Sequence, residues 1–125
     1  MTTIQIRLIE TGLFLLFMFI SGFWLSRAGK PYPGGKFNLH KFIGLGTGAF
    51  LIVMVYRIHK AGPLNEVQVA AVAITVLLFV INVIAGGLVS IEKSMPAAVK
   101  LIHKVFPYLC ASAAGVTVYL LLAPK

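Results

Sequence analysis

Acidic residues are almost missing from this chain: Glu10, Glu66 and Glu92 are the only carboxylates among its 125 residues. Cysteine is nearly absent too, and a single Cys110 excludes an intramolecular disulfide; within its apolar run it reads as a small core residue. Charged residues of both signs make up only 11% of the chain. Set against 59% hydrophobic residues and a mean hydropathy of +0.97, that scarcity excludes a water-soluble enzyme domain. No nucleophile–base pair, phosphate-binding glycine loop or Cys/His metal spacing is present either.

What the chain does have is long uncharged runs. A bilayer span needs about 20 apolar residues, so this length holds four or five spans and leaves no room for an extramembrane domain. The first run, Thr11 to Ser26, extends back through Ile4, with Arg7 and Glu10 spaced to pair on one helical face. Glu10 interrupts what would be the basic region of a signal peptide, and no A-x-A-like site follows Ser26, so this run is expected to remain as a span. The segment 27–37 contains Pro31, Pro33, Gly34 and Gly35 and reads as a turn-rich loop. Asn38 is the expected N-cap of a second helix, Asn65 with Gln68 forms a capping-box start for a third, and Ser94 with Pro96 marks a fourth. The expected fold is therefore all-α: one transmembrane domain over 1–125, an up-down-up-down four-helix bundle with helices at about 4–26, 38–60, 66–91 and 97–122.

The net charge of +8 collects at the ends of these spans, where anionic headgroups and the positive-inside bias explain it without nucleic acid. One end carries Arg7, Arg57, Lys60 and Lys125; the other carries Arg27, Lys30, Lys36, Lys41, Lys93, Lys100 and Lys104. The heavier side is expected to face inward, which puts both termini outside a prokaryotic cytoplasmic membrane.

Ionisable groups in membrane spans are costly and point to function. Leu39-His40-Lys41-Phe42 opens helix 2, and Ile102-His103-Lys104-Val105-Phe106 lies early in helix 4. These helices run in the same direction, so both imidazoles fall near one membrane face and can turn into one bundle. That arrangement suits a b-type haem, whose iron takes a neutral imidazole on each axial face between helices of a four-helix core. Gly44 and Gly48 follow His40 on its helical face and are read as space for a porphyrin edge. Pro107 removes the donor that the His103 carbonyl would meet, and a kink is expected there. Lys41, Lys104 and Arg27, with Lys30 and Lys36, lie on the same side and could pair with haem propionates. His59 falls about 28 Å further along helix 2 and about 100° round it, and is read as interfacial. The positions that would ligate a second haem hold Met54 and Thr117, so one haem per chain is expected.

The stretch His40-Lys41-Phe42-Ile43-Gly44-Leu45, with Tyr56-Arg57-Ile58-His59, Ile102-His103-Lys104 and Phe106-Pro107-Tyr108-Leu109, resembles the haem-bearing helices of the prokaryotic cytochrome b561 type. The resemblance covers about half the chain and implies a four-helix membrane haem protein that exchanges electrons with quinones or small oxidants. It departs from that pattern in having no histidine in helices 1 and 3, which puts a second haem in doubt. A quinone headgroup could sit under the loop from Gly29 to Lys36, between Tyr32, Trp24 and the basic rim, and Glu92 could gate a proton on that side. A partner redox subunit, a homodimer or a larger complex are the expected protein partners. Two other readings stay open: a small dimeric proton-coupled multidrug-type transporter centred on Glu10, and a haem-free structural subunit of a membrane complex.

Overall fold

The computed structural model describes residues 1–91 and 95–123. Four helices make up the fold: α1 Thr3–Ala28, α2 Gly34–Ala61, α3 Glu66–Ser90 and α4 Ala97–Leu122. No strand occurs among the described residues. All four helices are long and apolar enough to cross a membrane. Helices of this kind satisfy every backbone group internally, as hydrocarbon requires. The chain is an integral membrane four-helix bundle. Its outward faces are large and apolar, with Phe17, Phe42 and Leu77 more than half exposed, as lipid contact demands and water would not tolerate.

The termini of the helices follow local chemistry. Thr2 caps α1 through a reciprocal box with Gln5, and Asn65 caps α3 through the expected box with Gln68. Arg7 and Glu10 form the expected ion pair at 2.7 Å. Two expected boundaries move. Helix α2 begins at Gly34 rather than at Asn38, because Pro33 takes the cap position and its carbonyl accepts from the Phe37 amide at 3.0 Å. The intervening Gly-Gly pair is thus first-turn helix, not loop. Helix α1 runs two residues past Ser26 and stops at Gly29, whose φ of 73° suits a residue without a β-carbon. Helix α4 starts after Pro96 as its cap and runs without a break through Pro107. Glu92, Lys93, Ser94 and Lys125, which entered the charge and start-signal readings, lie outside the described residues.

Inside a bilayer, apolar surface gains little by burial, so helices join through small side chains and polar contacts. The tightest seam, α3 against α4, shows this. Gln68 Nε2 donates to the Leu120 carbonyl at 3.1 Å, and the Thr117 hydroxyl lies 3.1 Å from the Ala71 carbonyl and 2.8 Å from the Thr75 hydroxyl, a buried cluster in which each hydroxyl has one proton to give. Ala114 and Val118 on α4 are almost wholly buried beside them. Helix α1 packs against α2 and α4, with Phe14 stacked on Phe50 and Phe19 tilted against Tyr108. Helices α2 and α3 approach less closely and meet where the Phe79 ring lies over Gly48. The four helices therefore close a ring in chain order, with α2 and α4 facing each other across it.

Candidate functional site

His40 and His103 stand on those two facing helices, at the end of the bundle where α1 finishes and α2 begins. Both are half-buried, and the charge of His103 is felt at His40, so the structure brings near each other the pair that the sequence singled out. His59 is exposed at the other end of α2.

What seats the two rings is a glycine on the neighbouring helix. A β-carbon built on Gly22 of α1 would stand 2.9 Å from Cε1 of His40, and one on Gly86 of α3 would stand 2.7 Å from Cε1 of His103. Both distances are far inside van der Waals contact, so each ring occupies the volume that any other residue type would fill. Gly44 and Gly48, the glycines expected to make room, do not meet the imidazoles. Gly44 faces the Met18 sulfur at 3.7 Å, and Gly48 is covered by Phe79 at 2.8 Å. The glycines that touch the imidazoles lie on α1 and α3.

The polar surroundings of the two rings differ. Nδ1 of His40 lies 2.9 Å from the Ser21 hydroxyl, and the Met18 carbonyl also faces that ring. Ser21 is itself buried. Nδ1 of His103 is buried with no hydrogen-bond partner among the described residues; the Asn82 backbone carbonyl lies beside the ring without closing a bond to that atom. The Asn82 side chain gives its amide to the Leu78 carbonyl at 2.9 Å and leaves Oδ1 buried with no partner among the described residues; the same side chain lies beside the Cys110 thiol. Buried polar atoms are paired in the great majority of cases, so two orphans at one level of the α3–α4 seam mark the site more sharply than burial alone.

A rim of cations surrounds this end. Arg27, Lys41 and Lys104 are all exposed; Arg27 lies over the Phe23 ring at 5.9 Å and Lys41 over Phe42 at 5.8 Å. Lys36 sits 4.5 Å over Trp24, an anchor pairing suited to the headgroup level. Lys30 donates to the Ile91 carbonyl at 3.0 Å and so ties the α1–α2 loop across to the end of α3, above the histidines.

The sequence also points to two other places. Glu10 is bound to Arg7 near the opposite surface, and a cleft of about 300 Å³ beside Arg7 and Arg57 opens there, remote from the histidines. The second-haem positions are packed: Met54 is buried, and Thr117 is held by Thr75 and by the Ala71 carbonyl.

Ser21, Gly22, Asn82 and Gly86 were not foreseen. The available signals were a Ser-Gly pair inside the first apolar run, and an asparagine with Gly-Gly four residues on, inside the uncharged run from Val67 to Ile91. Among the described residues no group of three or more His, Cys, Asp or Glu side chains gathers as a metal site, and the candidate ligands remain the two imidazoles. Compared with family models, curated proteins and solved structures, the chain matches none.

Proposed function

We propose that this protein is a membrane b-type cytochrome that holds one haem between His40 and His103 and passes single electrons to or from a quinone, a small oxidant or a partner redox subunit. The observation that carries the reading is the matched seating of two half-buried imidazoles, each on a glycine of the neighbouring helix, one of them with a buried nitrogen that has no hydrogen-bond partner among the described residues. Neutral imidazoles are the usual axial ligands of a haem iron, and a four-helix core is a common place to hold one.

The donor set fits the group. His40 and His103 would hold the iron; Arg27, Lys41 and Lys104, exposed at the same end, would offer charge to propionates. The bound haem would supply reversible one-electron chemistry, which the side chains of this protein do not offer. The protein's own part is to exclude water with the apolar helices around the rings, to keep both imidazoles neutral and facing, and to set the rim charge. The packed Thr75–Thr117 contact and buried Met54 favour one haem rather than two. The Lys30 tether holds the loop with Tyr32 near the same rim, where a quinone headgroup would find aromatic rings and cations. The heavier basic end is the inner one in this reading, in a prokaryotic cytoplasmic membrane, with both termini outside.

The Arg7–Glu10 ion pair supports a paired interfacial role for Glu10 over the desolvated proton site a multidrug-type transporter needs. Visible spectra of the detergent-purified protein test the cytochrome reading. A Soret band and a sharp α-band on dithionite reduction are expected, lost in His40→Ala and in His103→Ala but retained in His59→Ala. No such bands after haem supplementation would sink it.

A further inference from the structure

We infer that Ser21 is a positioning residue that fixes His40 as the Nδ1–H tautomer and so leaves the lone pair on Nε2, while Nδ1 of His103 has no such partner among the described residues. The inference uses the cytochrome reading only in calling Nε2 the ligand atom.

A serine hydroxyl has one proton to give. In α1 that proton is directed to the Met18 carbonyl, which Ser21 Oγ approaches at 3.1 Å in the back-bonded geometry usual for serine within a helix. Oγ then meets Nδ1 of His40 at 2.9 Å as an acceptor, and the proton in that contact belongs to the imidazole. The group that α1 presents to Nδ1 therefore calls for an N–H. A neutral imidazole carries one, so Nε2 is left with its lone pair. Gly22, the next residue, bears the ring against the α1 backbone, and the dipeptide Ser21-Gly22 thus sets both position and tautomer.

His103 sits on Gly86 in the same way, but its Nδ1 has no hydrogen-bond partner among the described residues. The two rings are unequal: His40 has a side-chain hydrogen bond at Nδ1, whereas His103 has the Asn82 carbonyl beside it but no partner at Nδ1 among the described residues. A bond from Nδ1–H raises the basicity of an imidazole ligand and fixes its plane, so the inequality should appear in the electronic properties of the loaded protein.

The experiment is ¹⁵N–¹H long-range correlation NMR on haem-free, ¹⁵N-histidine-labelled protein in micelles, at a pH where the imidazoles are neutral. His40 should show the Nδ1–H pattern, should move toward Nε2–H in Ser21→Ala, and should recover in Ser21→Thr, which keeps the hydroxyl; His103 should not respond. A wild-type His40 in the Nε2–H form, or one indifferent to Ser21→Ala, overturns the inference. This measurement needs no haem, so its failure and that of the cytochrome reading are told apart. In haem-loaded protein, Ser21→Ala should keep a low-spin spectrum yet raise the reduction potential, because a less basic imidazole stabilises the oxidised iron less. An unchanged or lowered potential counts against it.

Discussion

Gly86 on α3 and His103 on α4 share one volume: the place where a β-carbon would stand is 2.7 Å from the imidazole Cε1. Its neighbour Gly87 has nothing within 4 Å of the same position and faces outward. Gly86→Ala must therefore displace the ring, at a cost of about 1–3 kcal/mol where the core cannot yield. Gly87→Ala only removes a flexible residue from a helix. Thermal melts in detergent should show a lower Tm for Gly86→Ala and an equal or higher one for Gly87→Ala, and only the first should disturb a haem spectrum. Equal behaviour of the two would mean that the seat is not tight.

Gly22 makes the parallel case for His40. There the ring is held by Ser21 as well as by packing, so Gly22→Ala opposes a hydrogen bond in addition to a contact. The His40 imidazole signals in NMR should shift more in Gly22→Ala than in Gly12→Ala, whose added methyl meets nothing within 4 Å. Comparable shifts in both would remove α1 from the site.

The fold was legible because its determinants are local. Four uncharged runs, the Asn65–Gln68 box and the Arg7–Glu10 spacing each act within one helix, and each reappears in the structure. His40 and His103 stood out because ionisable groups in a span are conspicuous. Their seats did not, since they depend on how each helix is rotated about its axis. A helix apolar on every side has no stripe to reveal that rotation, so nothing in the sequence says that Gly22 rather than Gly44 meets His40. The start of α2 was misplaced for a related reason: Gly34 and Gly35 signal a loop by composition, yet Pro33 presets the first turn and glycine tolerates it.

The Thr75–Thr117 contact is the most buried inter-helix hydrogen bond of the α3–α4 seam. The Thr75 hydroxyl also lies 2.9 Å from the Ala71 carbonyl and can give its proton there, so losing its partner does not strand it. Thr117→Val should cost about 0.6–1.7 kcal/mol, the range for inter-helix bonds in membranes. Because Thr117→Val and Thr75→Val remove the same bond, the double variant should cost less than the sum of the two singles. Strictly additive losses in reversible denaturation would show that the hydroxyls do not couple.

The charge at the two ends of the bundle makes a topological prediction. Arg27, Lys30, Lys36, Lys41, Lys100 and Lys104 lie at the histidine end, against Arg7, Arg57 and Lys60 at the other. Positive residues in short segments are retained on the inner side, so the α2–α3 turn should face out. Cys110 is buried and can be replaced by alanine to give a background free of thiols. In that background, Ala61→Cys at the α2–α3 turn and Ala28→Cys at the histidine end each place one exposed thiol at opposite surfaces. A membrane-impermeant maleimide added to intact cells should label residue 61 and reach residue 28 only after permeabilisation. The reverse pattern would put the histidine end outside, where a donor or acceptor would have to reach the site from the other side of the membrane.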